Sequence, residues 1–577
     1  MRTRPTYWFA VSLSAMLACS SSSSKEGRAS GVLPPSADHS QFVGQRAASP
    51  NTAAASSSAV PSASNPATRP APPAIGTASA AGSAAPGVPP ASPQVDTSRE
   101  KFTDVGGNPF VMVEHDPFST FAADVDTASY DIFRRNVEYG LVTTPSAVRV
   151  EEFLNYFDYD YAAPTDSDEH PFRVSTAAAQ NPFGRDTVLV RVGIQAKDPA
   201  PAQKKAANLV FLIDVSGSMM AEDKLPLVQY LLTQSLDVLD ADDKVSIVTY
   251  AGDTAVRLPP TSVVEKAKIS MAVNGLAAGG STNGAGGIQL AYQQAEAAFV
   301  QGAINHVILC TDGDFNVGIS STDALVELIK EKRKTGITLT ALGFGIGNLN
   351  DAMMEKVSNA GNGMYSVITS HTQASRYAED RMLRTFVHVA KDMKIQLEWN
   401  PAHVAAYRLI GYEDRAIADQ DFRNDVVDAG EVGAGHRVTA LYEVVPKGKA
   451  IPSISSAPAI EQGEPVTGDR QIRAADMVLV NVRYKQPGAA ESDPAREVGG
   501  SIPASSMATP FAQADDDLRW AAALAAYAEI LKQSPYATLD QLGVIREVFA
   551  GQQDRDIERK EFLGLFDKAK TLLPPQR

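Results

Sequence analysis

The residues whose types and spacing are best suited to chemistry are Asp214, Ser216 and Ser218, which follow the apolar run NLVFLI in the order Asp-Val-Ser-Gly-Ser. A carboxylate and two hydroxyls spaced two residues apart on a turn can converge on one point. These hard oxygen donors suit Mg²⁺ best, with Mn²⁺ or Ca²⁺ as alternatives, and they do not suit zinc or copper. Because hydroxyl ligands are neutral, a cation held here would attract an acidic group from outside. The pattern therefore predicts a divalent-cation site that accepts an external ligand.

Two further oxygen-bearing residues are expected near the same point. Thr282 lies in the glycine-rich segment GGSTNGAGG before a helical pattern, and Asp312 follows the apolar run HVILC. Serines after a strand also cap helices, so Ser216 or Ser218 could cap the helix that begins near Leu225. Capping accounts for one of these side chains but not for five oxygens on three separate loops. We therefore prefer the cation site.

The elements that must position these residues lie in the predicted domain 205–388. Apolar strands alternate there with amphipathic helices, for example NLVFLID before LPLVQYLLTQSLDVL and HVILC before TDALVELIKEKRK. Strands that are apolar on both faces and separated by helices indicate an α/β fold with a doubly wound, mostly parallel sheet. Ligands of such sheets bind outside the carboxyl ends of the strands, which is where Asp214 and Asp312 are expected.

The flanks of this domain have a different pattern. Apolar and polar residues alternate there, as is typical of antiparallel strands. The segments before the domain are FRVSTAAAQ and TVLVRVGIQA, and those after it are MKIQLEW, VAAYRLIGYE, HRVTALYEVVP and MVLVNVRYKQ. We predict that regions 101–204 and 389–490 build one β-sandwich into which the α/β domain is inserted. Helical patterns also occur near the start of region 101–204. In region 491–577 we predict a loop, GAAESDPAREVGGSIPASS, followed by C-terminal helices.

The N-terminal 100 residues are predicted to export and tether the protein. Residues 1–18 resemble a signal peptide, with two arginines before a short apolar stretch, and Cys19 follows an alanine as in a bacterial lipobox. Met16 and Leu17 depart from the usual lipobox pattern, which leaves ordinary signal-peptidase cleavage as the alternative. Residues 19–100 are rich in Ser, Ala and Pro, a composition that predicts a disordered tether. Ser20 after the cysteine favours the outer membrane, so we expect an extracytoplasmic, lipid-anchored protein.

Several other classes of function are disfavoured by the sequence. A formal net charge of -15 argues against a nucleic-acid partner. The chain has no GxSxG or HExxH motif and no Cys-His pair, so we expect no enzymatic activity. The segment from Asp312 to Asp323 departs from a calcium loop at its sixth and twelfth positions, and the glycines of GFGIG favour a turn over a nucleotide site. Asp124 and Asp126 could bind a cation, but a helix cap on a solvated surface is the preferred interpretation.

The segments DPFSTFAADVDTASYDIFRRNVEYG, VRVEEFLNYFDYDY and NPAHVAAYRLIGYEDR closely resemble the bacterial YfbK-like von Willebrand factor A lipoproteins, over most of the chain beyond the tether. Asp214, Ser216, Ser218, Thr282 and Asp312 together match the metal-ion-dependent adhesion site of von Willebrand A domains. The resemblance implies that Ser216, Ser218 and Thr282 ligate the metal, and that the two aspartates act largely through bound water.

These observations lead to one principal expectation about function. We expect a binding protein whose metal holds an acidic group of a protein partner and whose lipid anchor attaches it to a membrane. The alternative is a structural or assembly protein, in which the sandwich and helices form the interface and the metal only stabilises loops. An unrecognised hydrolase is a remote third possibility.

Overall fold

The computed structural model describes residues 97–198, 205–281, 284–313, 322–461, 471–489 and 493–573. Cys19, Thr282 and residues 314–321 lie outside these ranges, as does most of the predicted tether. The strands are, in chain order, β1 (Val111–Met112), β2 (Phe118–Ala122), β3 (Phe172–Gln180), β4 (Val188–Ala196), β5 (Ala207–Asp214), β6 (Lys244–Tyr250), β7 (Thr254–Ser262), β8 (Ile304–Thr311), β9 (Thr338–Phe344), β10 (Tyr365–Ile368), β11 (His388–Trp399), β12 (Val404–Ile410), β13 (Gly430–Gly433), β14 (Arg437–Pro446), β15 (Asp476–Lys485) and β16 (Arg496–Pro503).

The α-helices are, in chain order, α1 (Ala128–Glu138), α2 (Val150–Tyr156), α3 (Leu225–Val238), α4 (Lys266–Asn274), α5 (Gly284–Ala297), α6 (Thr322–Lys334), α7 (Asp351–Ala360), α8 (His371–Arg376), α9 (Met382–Phe386), α10 (Asp516–Leu531), α11 (Leu542–Gln552) and α12 (Ile557–Lys570). A π-helical turn at Tyr377–Arg381 joins α8 to α9. Within the described residues, no helix has both the length and the apolar character needed to cross a membrane.

The central sheet has the order β10-β9-β8-β5-β6-β7, in which every pair is parallel except the β6–β7 pair at one edge. Every residue of β5 is buried, because helices cover both faces of the sheet. Leu209 and Phe211 of β5 pack in the layer that contains α3, whereas Val210 and Leu212 pack in the layer that contains α5 and α7. The predicted doubly wound, mostly parallel α/β fold is confirmed.

Two antiparallel sheets form the predicted sandwich. The first has the order β1-β12-β14-β4-β3, and the second has the order β13-β11-β15-β16, with β2 also paired to β11. Their inner faces share one hydrophobic core that includes Val190, Ile395 and Trp399. Strand β4 precedes the α/β unit and pairs directly with β14, which follows it. Strands from both sides of the α/β unit therefore build the same sheet, as the hypothesis of an inserted domain requires.

The C-terminal helices pack together on an aromatic cluster rather than extending away from the body. Trp520 and Tyr527 of α10, Phe549 of α11 and Phe562 of α12 are all fully buried in this cluster. Helix α11 is not predicted separately from the sequence. Residues of α1 and α2 also enter the cluster, so the region before the α/β unit contacts the C-terminal helices.

The prediction of a loop before the C-terminal helices is wrong for the residues that form β16. This strand pairs with β15 along its length, with Val498 opposite Val482 and Ile502 opposite Val478. The adjacent Gly499 and Gly500 lower the strand propensity of this segment, which explains why its sequence resembles a loop. The backbone pairing and the burial of Ile502 in the sandwich core nevertheless hold it at the sheet edge.

Candidate functional site

The predicted site begins where β5 ends, at the carboxyl edge of the central sheet. Asp214 is the last residue of β5 and is fully buried, and its Oδ1 accepts a hydrogen bond of 2.8 Å from the backbone N–H of Ser216. The hydroxyl oxygens of Ser216 and Ser218 lie 2.9 Å apart. Neither serine caps a helix with its side chain, and α3 begins only after Lys224. Capping therefore does not account for these two residues.

Asp312 lies directly after β8, the strand that pairs with β5. Its side chain is buried, and its Oδ2 accepts a charge-assisted hydrogen bond of 2.9 Å from the ammonium group of Lys224. The same ammonium group donates to Asn348 Oδ1 at 3.1 Å. Between the two aspartates, the hydroxyl of Thr311 donates to Asp214 Oδ2 at 3.3 Å. The structure thus brings Asp214 and Asp312 to one edge of the sheet, as predicted.

The electrostatics of this edge fit a cation. The pKa of Asp214 is raised to about 6, because burial and the nearby charge of Asp312 outweigh the hydrogen bonds from Ser216, which lower it. Two carboxyl groups and two hydroxyls supply hard oxygen donors, and Lys224 offsets only one of the two negative charges. The donor set therefore suits Mg²⁺ or a similar ion, while the predicted ligand Thr282 lies outside the described residues.

Lys224 is the residue that the sequence patterns did not identify. Its stem runs past Gly345, whose φ is +75° and where an added Cβ would lie 2.5 Å from Lys224 Cγ. The carbonyl of Gly345 accepts a hydrogen bond of 3.0 Å from Arg135, and the N–H of Gly347 donates to Glu100 at 2.9 Å. Arg135 and Glu100 form a buried ion pair. Gly343 lies in β9, and only Gly345 and Gly347 lie in the bend that follows this strand and contacts the stem of the lysine.

The interpretation of Asp124 and Asp126 as a cap on a solvated surface is wrong. Both side chains are buried, and one guanidinium nitrogen of Arg415 lies 3.2 Å from Asp124 and 3.3 Å from Asp126. Asp126 also accepts a hydrogen bond of 2.7 Å from the N–H of Tyr365 in β10. The side chain of Thr127 makes no cap. These aspartates therefore connect the region before the α/β unit to the central sheet and the sandwich.

A separate acidic group lies outside the predicted site. Carboxylate oxygens of Asp392, Asp428 and Glu431 lie within 4.8 Å of one another. Two of these groups already have cationic partners, because Arg333 contacts Asp428 at 2.6 Å and Lys485 contacts Asp392 at 3.3 Å. We therefore assign no cation to this group.

Comparisons with family models cover most of the described chain. The model described as "von Willebrand factor type A domain" matches residues 208–379, and the one described as "von Willebrand factor" matches residues 96–191. The model described as "Uncharacterized protein YfbK, C-terminal" matches residues 384–572. The central match contains Asp214, Ser216, Ser218 and Asp312, so the candidate cation site lies within a von Willebrand factor type A domain.

The chain is also similar to individual proteins. The chain is 38% identical over 473 residues to the protein described as "Uncharacterized protein YfbK" from Escherichia coli (strain K12), with 80% of each chain covered. It is 26% identical over 181 residues to inter-alpha-trypsin inhibitor heavy chain H4 from Bos taurus, covering 30% of this chain and 20% of that one. The solved structure of a von Willebrand factor type A protein from Catenulispora acidiphila covers 71% of this chain and 90% of its own, at 17% identity and a TM-score of 0.39.

Proposed function

We propose that the chain, which belongs to the YfbK family and matches the von Willebrand factor type A and YfbK C-terminal models, is a binding protein rather than an enzyme. In this proposal Asp214, Ser216, Ser218, Thr282 and Asp312 hold a divalent cation, with Mg²⁺ preferred. The bound cation supplies a positive charge with a free coordination position, to which an acidic side chain of a protein partner attaches.

The observation that carries the proposal is the convergence of oxygen donors at the carboxyl edge of the central sheet. The hydroxyls of Ser216 and Ser218 are 2.9 Å apart. The buried carboxyl groups of Asp214, the last residue of β5, and Asp312, the residue after β8, lie at the ends of adjacent parallel strands. Ser218 is exposed, so this group of donors is accessible from solvent. One ammonium against two carboxylates leaves the protein groups with a net negative charge, which suits a cation.

We further propose that this binding protein is exported and attached by a lipid on Cys19, with residues 19–100 as a tether and the outer membrane as the favoured location. The supporting observation is the signal-peptide pattern with an Ala-Cys junction. Replacing Cys19 by Ser is expected to move the protein from the membrane fraction to the soluble periplasmic fraction. Retention of the Cys19→Ser protein in the outer-membrane fraction would contradict the lipid anchor.

The experiment that tests the binding function is capture of partners from periplasmic extract on the immobilised protein. Capture of a specific protein is expected in Mg²⁺, and both a chelator and Asp214→Ala are expected to abolish it. Asp237→Ala, a change at an exposed surface ion pair, serves as the matched control and is expected to capture normally. Capture that persists in the chelator and with Asp214→Ala would contradict adhesion through the metal and favour an assembly role for the sandwich and helices.

A further inference from the structure

A small cavity at the junction of the α/β unit and the sandwich is lined by three arginines and a histidine. It has a volume of about 80 Å³, and its lining includes Arg381, Arg384, His436 and Arg437. Arg381 ends the π-helical turn and Arg384 lies in α9. Arg437 is the first residue of β14, and His436 directly precedes it. None of the residues proposed to hold the divalent cation lines this cavity.

Part of the hydrogen-bond donor capacity of the cavity has no acceptor among the described residues. Arg437 pairs with Asp158, whose side chain is mostly exposed, and Arg381 lies 3.8 Å from Glu558. The guanidinium group of Arg384 makes no hydrogen bond or ion pair with any described residue. The Nε atom of Arg437 is buried and has no acceptor among the described residues. The carboxyl groups of Asp158, Glu558 and Asp131 all act on Arg381. The N–H donors that have no acceptor among the described residues belong to Arg384 and Arg437.

His436 provides an additional hydrogen-bond donor in the cavity. The N–H of Gly433 donates to His436 Nδ1 at 3.2 Å, so the neutral ring carries its proton on Nε2. Among the described residues no acceptor faces that N–H group. Burial and the nearby positive charges of Arg384, Arg381 and Arg437 together lower the pKa of His436 to about 3. The ring therefore stays neutral and can donate one hydrogen bond.

We propose that this cavity binds one small oxyanion of the inorganic phosphate class, independently of the divalent-cation site. Arginine guanidinium groups recognise such oxyanions through paired N–H donors, and the fourth donor comes from His436. The volume admits one such ion with a few water molecules and excludes a nucleotide. The bound ion joins α9 of the α/β unit to β14 of the sandwich, because Arg384 and Arg437 belong to these two elements.

The test is isothermal titration of inorganic phosphate into the full chain, in chloride buffer at constant ionic strength. We expect one saturable site with a dissociation constant of about 1 mM or tighter. Arg384→Gln and Arg437→Gln are each expected to weaken binding at least about tenfold, because each removes one guanidinium group from the cavity. Arg546→Gln, which changes only an exposed pair with Asp567, is the control and is expected to bind phosphate like the original chain.

Thermal unfolding without phosphate checks that each variant is folded. Weaker binding in both cavity variants, together with unchanged binding in Arg546→Gln, supports the site. Absence of saturable heat in the original chain overturns the proposal. Equal affinity in the original chain and in both cavity variants also overturns it, because the anion would then bind elsewhere.

Discussion

Replacing Lys224 by Met is expected to strengthen Mg²⁺ binding while destabilising the cation-free protein. The ammonium lies 2.9 Å from Asp312 Oδ2, and both side chains of this pair are at most 9% exposed. At that distance the pair attracts with about 6 kcal/mol for an effective dielectric constant of about 20, before desolvation is subtracted. Removing one partner of a buried pair costs about 3–5 kcal/mol, because the remaining charge stays in a poorly solvated place.

A divalent cation would recover part of this cost, because it returns positive charge to the same carboxylate. Recovery of about 1.4–2.8 kcal/mol corresponds to an affinity gain of about 10-fold to 100-fold. Isothermal titration of Mg²⁺ measures the gain, and thermal unfolding in a chelator measures the loss. Met preserves the length of the stem that passes Gly345, and Lys266→Met, at an exposed pair with Asp237, is the control. Unchanged or weaker Mg²⁺ binding in Lys224→Met would refute the idea that Lys224 opposes the cation.

Three further outcomes follow from the packing. Gly345→Ala is expected to lower the melting temperature, because the residue has a positive φ and the new methyl group would overlap the stem of Lys224. The displaced Lys224 is also expected to alter the affinity for Mg²⁺. An unchanged melting curve would contradict this prediction. Burial raises the pKa of Asp131 to about 7, so the folded state binds more protons than the unfolded state above the ordinary pKa, and stability from this group falls as pH rises to about 7. The stability of Asp131→Asn relative to the original chain should therefore rise between about pH 4 and about pH 7, whereas a pH-independent difference in melting temperature would contradict this. Arg408→Met leaves the buried carboxylate of Glu529 without its 2.7 Å partner and should cost about 3–5 kcal/mol in urea unfolding, a value that a loss under about 1 kcal/mol would contradict.

The parts of the fold that the sequence predicts are those with strong local patterns. The residues before Asp214 form a continuous apolar run, which predicts a strand of a parallel sheet with helices on both faces, and this strand is indeed fully buried. The alternation of apolar and polar residues in the strands on both flanks likewise predicts the sandwich. By contrast, the sequence does not predict β16, because Gly499 and Gly500 lower the strand propensity of this segment and the strand depends on backbone pairing with β15.

The parts of the site that the sequence did not reveal depend on contacts between distant segments. Lys224 reaches Asp312 and Asn348, which lie 88 and 124 residues away along the chain. One feature of the sequence points to a special role for Lys224. It directly precedes the first turn of α3, where the helix dipole disfavours a cation, so a carboxylate partner is expected there. The burial of Asp124 depends in the same way on Arg415, a distant residue of the sandwich region.

The central claim is that the carboxyl edge of the sheet binds a divalent cation. Isothermal titration of Mg²⁺, repeated with Mn²⁺, into the original chain and into Asp214→Ala tests it most directly. We predict one cation per original chain and no binding to a folded Asp214→Ala protein, because the variant lacks a carboxylate at the centre of the donor set. Absence of binding to the original chain, or equal binding to both proteins, would contradict the account.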